Sequence, residues 1–304
     1  MKSKINSTKK LLELTFKQEN SLYNYQSQFR YYLNKLDDIK DTDFLDFMWF
    51  MRKKNISIKR LINLNQIYFK FLLEHRNIKK ISERDFELIY TLVYNSNLSN
   101  MSKITYLKGI KQIMKYFKLQ KKINLNEYKI KDEKKIILYS DLLTEKEKLF
   151  IISNIKKNQH KVFFTILFDT GLRVGEVYSI DKNCFQKVKT GYFVTIQASK
   201  TQIRTVFTYS NNDLIEKLLN SSWTSWTFGY RTSYNIIKRF EKKLNKRLYH
   251  HLARHTKATE LSKDLTEQEL KNYMGWTPDS DMLNNYIHLN NKDILNKMEK
   301  IYGI

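Results

Sequence analysis

The sequence predicts a mainly α-helical protein with one small antiparallel β-sheet, arranged as a helical N-terminal domain followed by an α+β domain. Apolar residues recur at the three- and four-residue spacing of an amphipathic helix along most of the chain. Two helix starts carry a capping box, Thr144 with Glu147 and Thr266 with Glu269. Only the region from about 184 to 208 alternates apolar and polar residues with the period of a strand.

A length of 304 residues is enough for a large core and favours two domains. We expect a basic flexible leader over 1–15, a helical domain over 16–120, a lysine-rich linker over 121–140 and a second domain over 141–304. The linker contains neither proline nor glycine, so a helical or an extended connection are both open. The second domain should end in an amphipathic tail helix over 291–304.

Five amphipathic helices are predicted in the N-terminal domain. The first begins near Ser21, and its stripe consists of Leu22, Tyr25, Phe29, Tyr32, Leu33 and Leu36. The others are expected over 42–53, 57–75, 83–94 and 101–118.

The second domain should open with helices over 145–157 and 159–168, and a short helix should follow Gly171. Three antiparallel strands are then expected over Cys184–Val188, Tyr192–Gln197 and Arg204–Thr208. A helix from about 230 to 246 leads to a helical segment at His250. The helix that starts at Thr266 should end at Gly275, which leaves Trp276 just past its end.

The charge of the chain points to a polyanionic partner. Lys and Arg number 55 against 31 Asp and Glu, which gives a net charge of +24 and a pI near 9.7. Both halves are basic, which favours a clamp on double-stranded nucleic acid over a single basic tail. An anionic membrane surface is less favoured because no basic amphipathic helix is convincing.

The single cysteine, Cys184, excludes a disulfide framework and a cysteine metal site, so we expect a reduced, cytoplasmic setting. No apolar run follows the basic N-terminus, so no signal peptide is expected. No stretch approaches the ~18–20 apolar residues of a membrane-spanning helix.

The stretch from His250 to Leu289 combines side chains suited to phosphoryl transfer. On a helix, His251 and Arg254 face the same way. A guanidinium matches a phosphate, an imidazole moves a proton near neutral pH, and a phenol such as Tyr286 can be a nucleophile. A zinc peptidase helix would need a glutamate after the first histidine, where this sequence has Leu252. We therefore expect neither a metal nor another cofactor.

Two further charged sites, taken alone, have a simple structural interpretation. Arg173 and Glu176, three residues apart on a short helix, form a pair typical of a weak surface ion pair. Lys200 falls in the turn between the second and third strands, where a lysine is usually solvated.

The order of these features resembles the tyrosine recombinases, the phage integrase family of site-specific DNA recombinases. The motifs are Thr-Gly-Leu-Arg-x-x-Glu (170–176), a lysine in a hairpin (Lys200), His-x-x-Arg-His-Thr (251–256), Gly-Trp (275–276) and Tyr-x-His (286–288). The resemblance covers about 140 to 304, and the helical N-terminal half looks like the family's core-binding domain. The segments GWTPDSDM (275–282) and YIHL (286–289) look more like those of archaeal integrases of viruses and plasmids.

The resemblance implies a role for each matching residue. Arg173 and Arg254 would hold the scissile phosphate, and Glu176 would position Arg173. Lys200 would protonate the departing 5′ oxygen, and His251 would help to move the proton of the nucleophile. Trp276 would donate its indole N–H to a phosphate oxygen. Tyr286 would attack and form a 3′-phosphotyrosyl bond, without metal or ATP.

Several residues have competing interpretations. His250 is a rival for His251, although Arg-His-Thr fixes Arg254 and favours His251. His255 should support packing or hydrogen bonding, and His288 could orient the helix at Tyr286. We expect Tyr273 to pack in the core. Asp279 and Asp281 should be solvated loop charges, since a two-metal site needs more carboxylates.

At the level of function, integration or excision of a mobile element is our first hypothesis, and resolution of chromosome or plasmid dimers in the manner of Xer recombinases is the second. The other hypotheses are a type IB topoisomerase and a non-catalytic DNA-binding protein. The resemblance also implies a homotetramer on two DNA duplexes, with the tail helix over 291–304 docked into a neighbouring subunit; packing within its own subunit is the alternative.

Overall fold

A computed structural model describes residues 25–39, 41–73, 78–131, 138–197, 203–280, 298–299 and 302–303. The chain divides into two compact units, Met1–Lys135 and Ile136–Ile304. Most of the described residues are helical, and a three-stranded antiparallel sheet lies in the second unit. The predicted fold class is confirmed.

The described residues of the first unit form a bundle of five α-helices around an apolar core. Their bounds are α1 Tyr25–Asp38, α2 Thr42–Lys53, α3 Ile58–Ile67, α4 Glu83–Tyr94 and α5 Asn100–Tyr116. Helix α3 continues as a π-helix over Tyr68–Leu72, where a single α-helix was predicted. Side-chain oxygens cap four of the α-helices: Asp41, Ser57, Ser82 and Ser99 each accept a hydrogen bond from a backbone N–H three residues later.

The described residues of the second unit form eight α-helices and three β-strands. They are α6 Glu145–Ser153, α7 Asn158–Thr170, α8 Val174–Tyr178, β1 Phe185–Val188, β2 Gly191–Ile196, β3 Arg204–Thr208, α9 Asn212–Leu219, α10 Tyr230–Lys238, α11 Glu241–Leu244, α12 His250–Leu261 and α13 Glu267–Met274. Helix α7 is the centre of this unit, because Val162 to Thr170 are all buried. It contacts α6, α8, α9, α12 and β3.

The sheet has the strand order β1-β2-β3. Val188 pairs with Gly191 at the first turn, and Ile196 pairs with Arg204 at the end where the chain passes from β2 to β3. The buried face carries Val194 and Val206, which are opposite each other in the register. The side chain of Arg204 is therefore in phase with the apolar face.

Three predicted elements need correction, and one helix was missed. The helix expected over 145–157 ends at Ser153, and Cys184 lies in a 3₁₀ turn rather than in β1. The helix expected over 230–246 is broken into α10 and α11. Helix α9 was not predicted at all. Within the described parts of the chain, no helix has the length and apolar character needed to cross a bilayer.

Candidate active site

Gly171 makes the turn that delivers Arg173. Its backbone is left-handed, with φ +64°, and its N–H donates to the Leu167 carbonyl at 3.1 Å, which closes α7. A Cβ at this position would lie 2.7 Å from the Cβ of Lys257, so the helix crossing also requires glycine. Two residues later the chain is extended at Arg173, the N-cap of α8.

Glu176 accepts two hydrogen bonds from Arg173. Its Oε2 accepts from the Arg173 backbone N–H at 2.7 Å, and its Oε1 accepts from the Arg173 guanidinium at 3.0 Å. The Glu176 side chain is 7% exposed and that of Arg173 is 37% exposed. The reading of a solvated surface pair is therefore wrong, because the carboxylate is buried and presents a half-exposed cation.

Burial alone would raise the pKa of the Glu176 carboxyl, but cationic neighbours outweigh it. The hydrogen bond and charge of Arg204, with the contacts from Arg173, hold this pKa below its usual value. Glu176 is thus a permanent anion at neutral pH.

Arg254 is the largest fully buried side chain among the described residues and is 2% exposed. It lies on α12 and donates to two backbone carbonyls, Gly171 at 3.2 Å and Met274. These contacts fix the plane of the guanidinium between the end of α7 and the end of α13. Its central carbon also lies 5.6 Å from the ring centroid of Trp276.

Helix α13 is built as its sequence predicts. Thr266 and Glu269 form the capping box, and Gly275 ends the helix in the left-handed conformation with φ +62°. Trp276 follows at once and packs, 6% exposed, with Ala258, Leu270 and Met274.

Three successive carbonyls at the C-terminal end of α13 each accept a hydrogen bond from a different arginine. Tyr273 accepts from Arg204 at 3.0 Å, Met274 from Arg254, and Gly275 from Arg173 at 3.2 Å. The last carbonyls of a helix have no partner within the helix and carry its partial negative charge, so cations are stabilised there. This end of α13 gathers arginines from α8, β3 and α12 in one place.

The histidines separate into two environments. His251 and His255 are neighbours, with ring centroids 4.6 Å apart. His251 reaches solvent, yet desolvation of its ring and the charges of Arg254 and Arg173 lower its pKa to about 4. Desolvation, followed by the influence of His251 and Arg254, lowers the pKa of His255 to about 4 as well. Both imidazoles are neutral at pH 7.

His250 points elsewhere, into the core. It is 3% exposed and packs against Tyr230 at 5.0 Å and Phe164 at 6.3 Å between ring centroids. Burial lowers its pKa to about 4, and the Ser233 backbone opposes this shift only in part. Of the two rivals, His251 is the one beside the arginines.

Two residues of this region were not predicted from the sequence. Arg204 donates to Glu176 at 2.7 Å and has a side chain that is only 4% exposed. Arg204 and Val206 are two residues apart on β3, so their side chains point to the same face of the sheet. This spacing could have predicted that Arg204 is buried. Asp169 is also buried and accepts hydrogen bonds from Thr208, Tyr209 and Ser210, which tie the end of β3 to α7.

Tyr273 and Asp279 were also singled out in the sequence, and the structure describes both. Tyr273 is half-buried, and burial raises its pKa to about 12, which agrees with a packing role. Asp279 is exposed, and within the described ranges no three His, Cys, Asp or Glu side chains are grouped to hold a metal. Lys200, Asp281, Tyr286 and His288 lie outside the described residues, as does most of the tail over 291–304.

Solved structures of recombinases share this fold. XerH site-specific recombinase bound to difH substrate aligns with a TM-score of 0.61 and 16% identity over 97% of this chain and 95% of that chain. A lambda integrase dimer bound to a COC′ core site gives 0.59 and 13%, over 79% and 92%. The Tn1549 transposon integrase in complex with circular intermediate DNA gives 0.55 and 14%, over 90% and 99%. A search of curated protein sequences finds no significant match.

The sequence profile of the phage integrase family matches residues 141–293. That segment is half of the chain, and it contains all of the arginines, histidines and the tryptophan described above. The protein belongs to the phage integrase family of tyrosine recombinases.

Proposed function

We propose that the protein is a site-specific DNA recombinase that cleaves and rejoins DNA through a 3′-phosphotyrosyl bond. The observation that carries this proposal is the convergence of Arg173 and Arg254 on the end of α13, with His251 and Trp276 beside them. A cluster of fixed cations with a neutral imidazole suits a phosphate that gains negative charge during attack.

The chemistry follows from the roles assigned to these residues. The Tyr286 oxygen forms a bond to the scissile phosphorus, the bond from phosphorus to the 5′ oxygen breaks, and Lys200 gives that oxygen its proton. Arg173 and Arg254 bind the non-bridging oxygens, and the indole N–H of Trp276 donates to one of them. In the second step a 5′ hydroxyl attacks the phosphotyrosine and releases Tyr286. One phosphoester bond replaces another in each step, so neither ATP nor a cofactor is required.

His251 is suited to receive the proton of the nucleophile. A base must be unprotonated to act, and the lowered pKa keeps His251 neutral throughout the physiological range. Its contact with His255 places a second neutral ring behind it. We assign His255 to support of His251 rather than to the chemistry.

We assign the biological role to integration or excision of a mobile element, of the type found in archaeal viruses and plasmids. The sequences of segments 275–282 and 286–289 support an origin in such an element. A resolvase of DNA dimers is the second candidate, supported by the alignment with XerH over nearly the full length of both chains. Either role uses a homotetramer on two duplexes, with the tail over 291–304 docked in a neighbouring subunit.

Covalent trapping tests the chemistry. Nicked duplexes from the DNA flanking the gene are incubated in EDTA with wild type, Tyr286→Phe or the matched control Tyr273→Phe, and separated on a denaturing gel. We expect a slow adduct with wild type and with Tyr273→Phe, and none with Tyr286→Phe. An adduct that survives Tyr286→Phe would refute the nucleophile, and binding without any adduct from wild type would favour a non-catalytic DNA-binding protein.

The trapped DNA also separates the two roles. Adducts at a junction between element and host, with recombination between two different sites, support integration. Adducts within one repeated site, with resolution of direct repeats, support the resolvase. Relaxation of supercoils without a specific site would instead indicate a topoisomerase.

A further inference from the structure

We infer that Arg204 is a positioning residue for the recombination reaction: it holds Glu176 and the turn at Gly275 so that the Arg173 guanidinium faces the scissile phosphate. The inference rests on the proposed function and extends it to a residue outside the family's recombinase motifs named above. Arg204 itself is buried and does not touch the reacting atoms in this role.

The first contact restrains the carboxylate. One Glu176 oxygen, Oε2, accepts from Arg204 at 2.7 Å and from the Arg173 backbone at 2.7 Å. This leaves Oε1 for the Arg173 guanidinium, at 3.0 Å. A carboxylate and a guanidinium prefer to pair through two parallel hydrogen bonds. Without Arg204, Glu176 could turn both oxygens onto the Arg173 side chain and draw it down from the surface.

The second contact supports the turn. The Arg204 guanidinium lies directly beneath Gly275, since a Cβ there would be 2.5 Å from its nitrogen. It donates to the Tyr273 carbonyl at 3.0 Å, while the Gly275 carbonyl accepts from Arg173 at 3.2 Å. Arg204 thus contacts both of the groups that hold the Arg173 guanidinium.

The balance of charge fits the same role. Among the described residues, three arginines, 173, 204 and 254, and the carboxylate of Glu176 lie together at the end of α13. Burying an arginine is costly unless it is fully paired, and Arg204 takes the carboxylate as its partner. Arg204 therefore shares with Arg173 a carboxylate that could otherwise pair with Arg173 alone.

The test compares Arg204→Met and Arg204→Lys with a control, Lys187→Met, which removes an exposed pair with Glu216 from the same sheet. The readouts are DNA affinity and the single-turnover rate of adduct formation on saturating nicked duplex, at a temperature where all variants are folded. We expect Arg204→Met to lower the rate by about 10²-fold, the typical loss when a catalytic group is displaced by ~1 Å, with affinity unchanged. Arg204→Lys should recover part of the loss, and Lys187→Met should react like wild type.

A neutral substrate distinguishes positioning from a structural role. When a methyl group replaces one non-bridging oxygen of the scissile phosphate, an oriented Arg173 matters less. The difference between wild type and Arg204→Met should then shrink well below 10²-fold, roughly to the level of one lost hydrogen bond. An equal loss on both substrates would assign Arg204 to fold stability alone.

The outcomes separate the two proposals. A folded Arg204→Met that forms adduct at the wild-type rate would overturn the positioning role and leave the proposed function intact. A wild-type protein that binds DNA and never forms an adduct would overturn the proposed function, and the role of Arg204 with it.

Discussion

The indole ring of Trp276 lies over the guanidinium of Arg254, with 5.6 Å between the guanidinium carbon and the ring centroid. Both side chains are buried, so the ring shields the cation from water while the Met274 and Gly171 carbonyls hold its edge. A desolvated contact of this kind is worth about 2 kcal/mol. Trp276 therefore has a packing role that can be measured apart from its N–H group.

Substitution of Trp276 should separate these two roles. Trp276→Ala removes a buried aromatic side chain and should lower the free energy of unfolding by about 3–5 kcal/mol. Trp276→Phe should restore much of that stability but not adduct formation, because phenylalanine has no N–H. Chemical denaturation and single-turnover cleavage measure both. Full cleavage by Trp276→Phe would exclude the indole as a donor.

Arg254→Lys should abolish most of the chemistry while sparing DNA binding. A lysine cannot reach both the Gly171 and the Met274 carbonyls and still present a planar donor pair to a phosphate. We expect the rate of adduct formation to fall by about 10²–10³-fold, the typical loss for one oxyanion donor. Binding by gel shift serves as the internal control. A rate within a few fold of wild type would contradict a direct role.

Asp169 should matter for stability rather than for chemistry. Its carboxylate accepts from two backbone N–H groups and two hydroxyls at the end of β3, at 2.8 to 3.0 Å. Asp169→Ala would remove the acceptor of these donors, and the fully buried Thr208 hydroxyl alone would lose its partner at a cost of about 1–3 kcal/mol. Asp169→Asn should be milder because it retains one acceptor oxygen. Thermal unfolding of the two variants provides the test, and equal melting temperatures would contradict it.

His250 should make the second unit sensitive to acid. The folded pKa is about 4 against 6.5 for an ordinary histidine, so between these values the unfolded chain binds a proton that the folded chain does not. Stability should be fully present above pH 6.5 and should fall as the pH drops towards 4. The shift corresponds to roughly 3 kcal/mol for this buried group.

His250→Phe checks this directly. The ring of His250 packs against the aromatic rings of Tyr230 and Phe164, so phenylalanine should fit in its place. The variant should lose less stability than wild type between pH 6.5 and 4, as measured by urea unfolding at several pH values. An unchanged pH slope would assign the acid sensitivity to other groups.

Elements with strong local signals were predicted well from the sequence. The capping box at Thr266 and the glycine at 275 define α13, because both ends are encoded within the helix itself. Helix α9 has neither signal: Asn211 is left-handed and makes no side-chain cap, and only Ile215 is fully buried. The break between α10 and α11 was missed because Ile236, Ile237 and Phe240 continue the apolar stripe across it.

The site was predictable as a set of residues and not as a geometry. The resemblance named the residues that the structure brings together, Arg173, Glu176, His251, Arg254 and Trp276. It could not indicate that the carbonyls of 273, 274 and 275 bind three arginines, because every residue has a backbone carbonyl whatever its side chain. Arg204 was missed because it belongs to none of the motifs of the resemblance, and its partners Glu176 and Tyr273 are distant in sequence.

The close fit of Gly275 over Arg204 also restricts the order in which mutations can accumulate. A side chain at 275 would overlap the guanidinium, and only glycine or an occasional asparagine is at ease at φ +62°. A lineage can therefore exchange Arg204 first and Gly275 afterwards, but the reverse order passes through an intermediate in which the two collide. Among descendants of this chain, a residue other than glycine at position 275 should occur only where position 204 is no longer arginine.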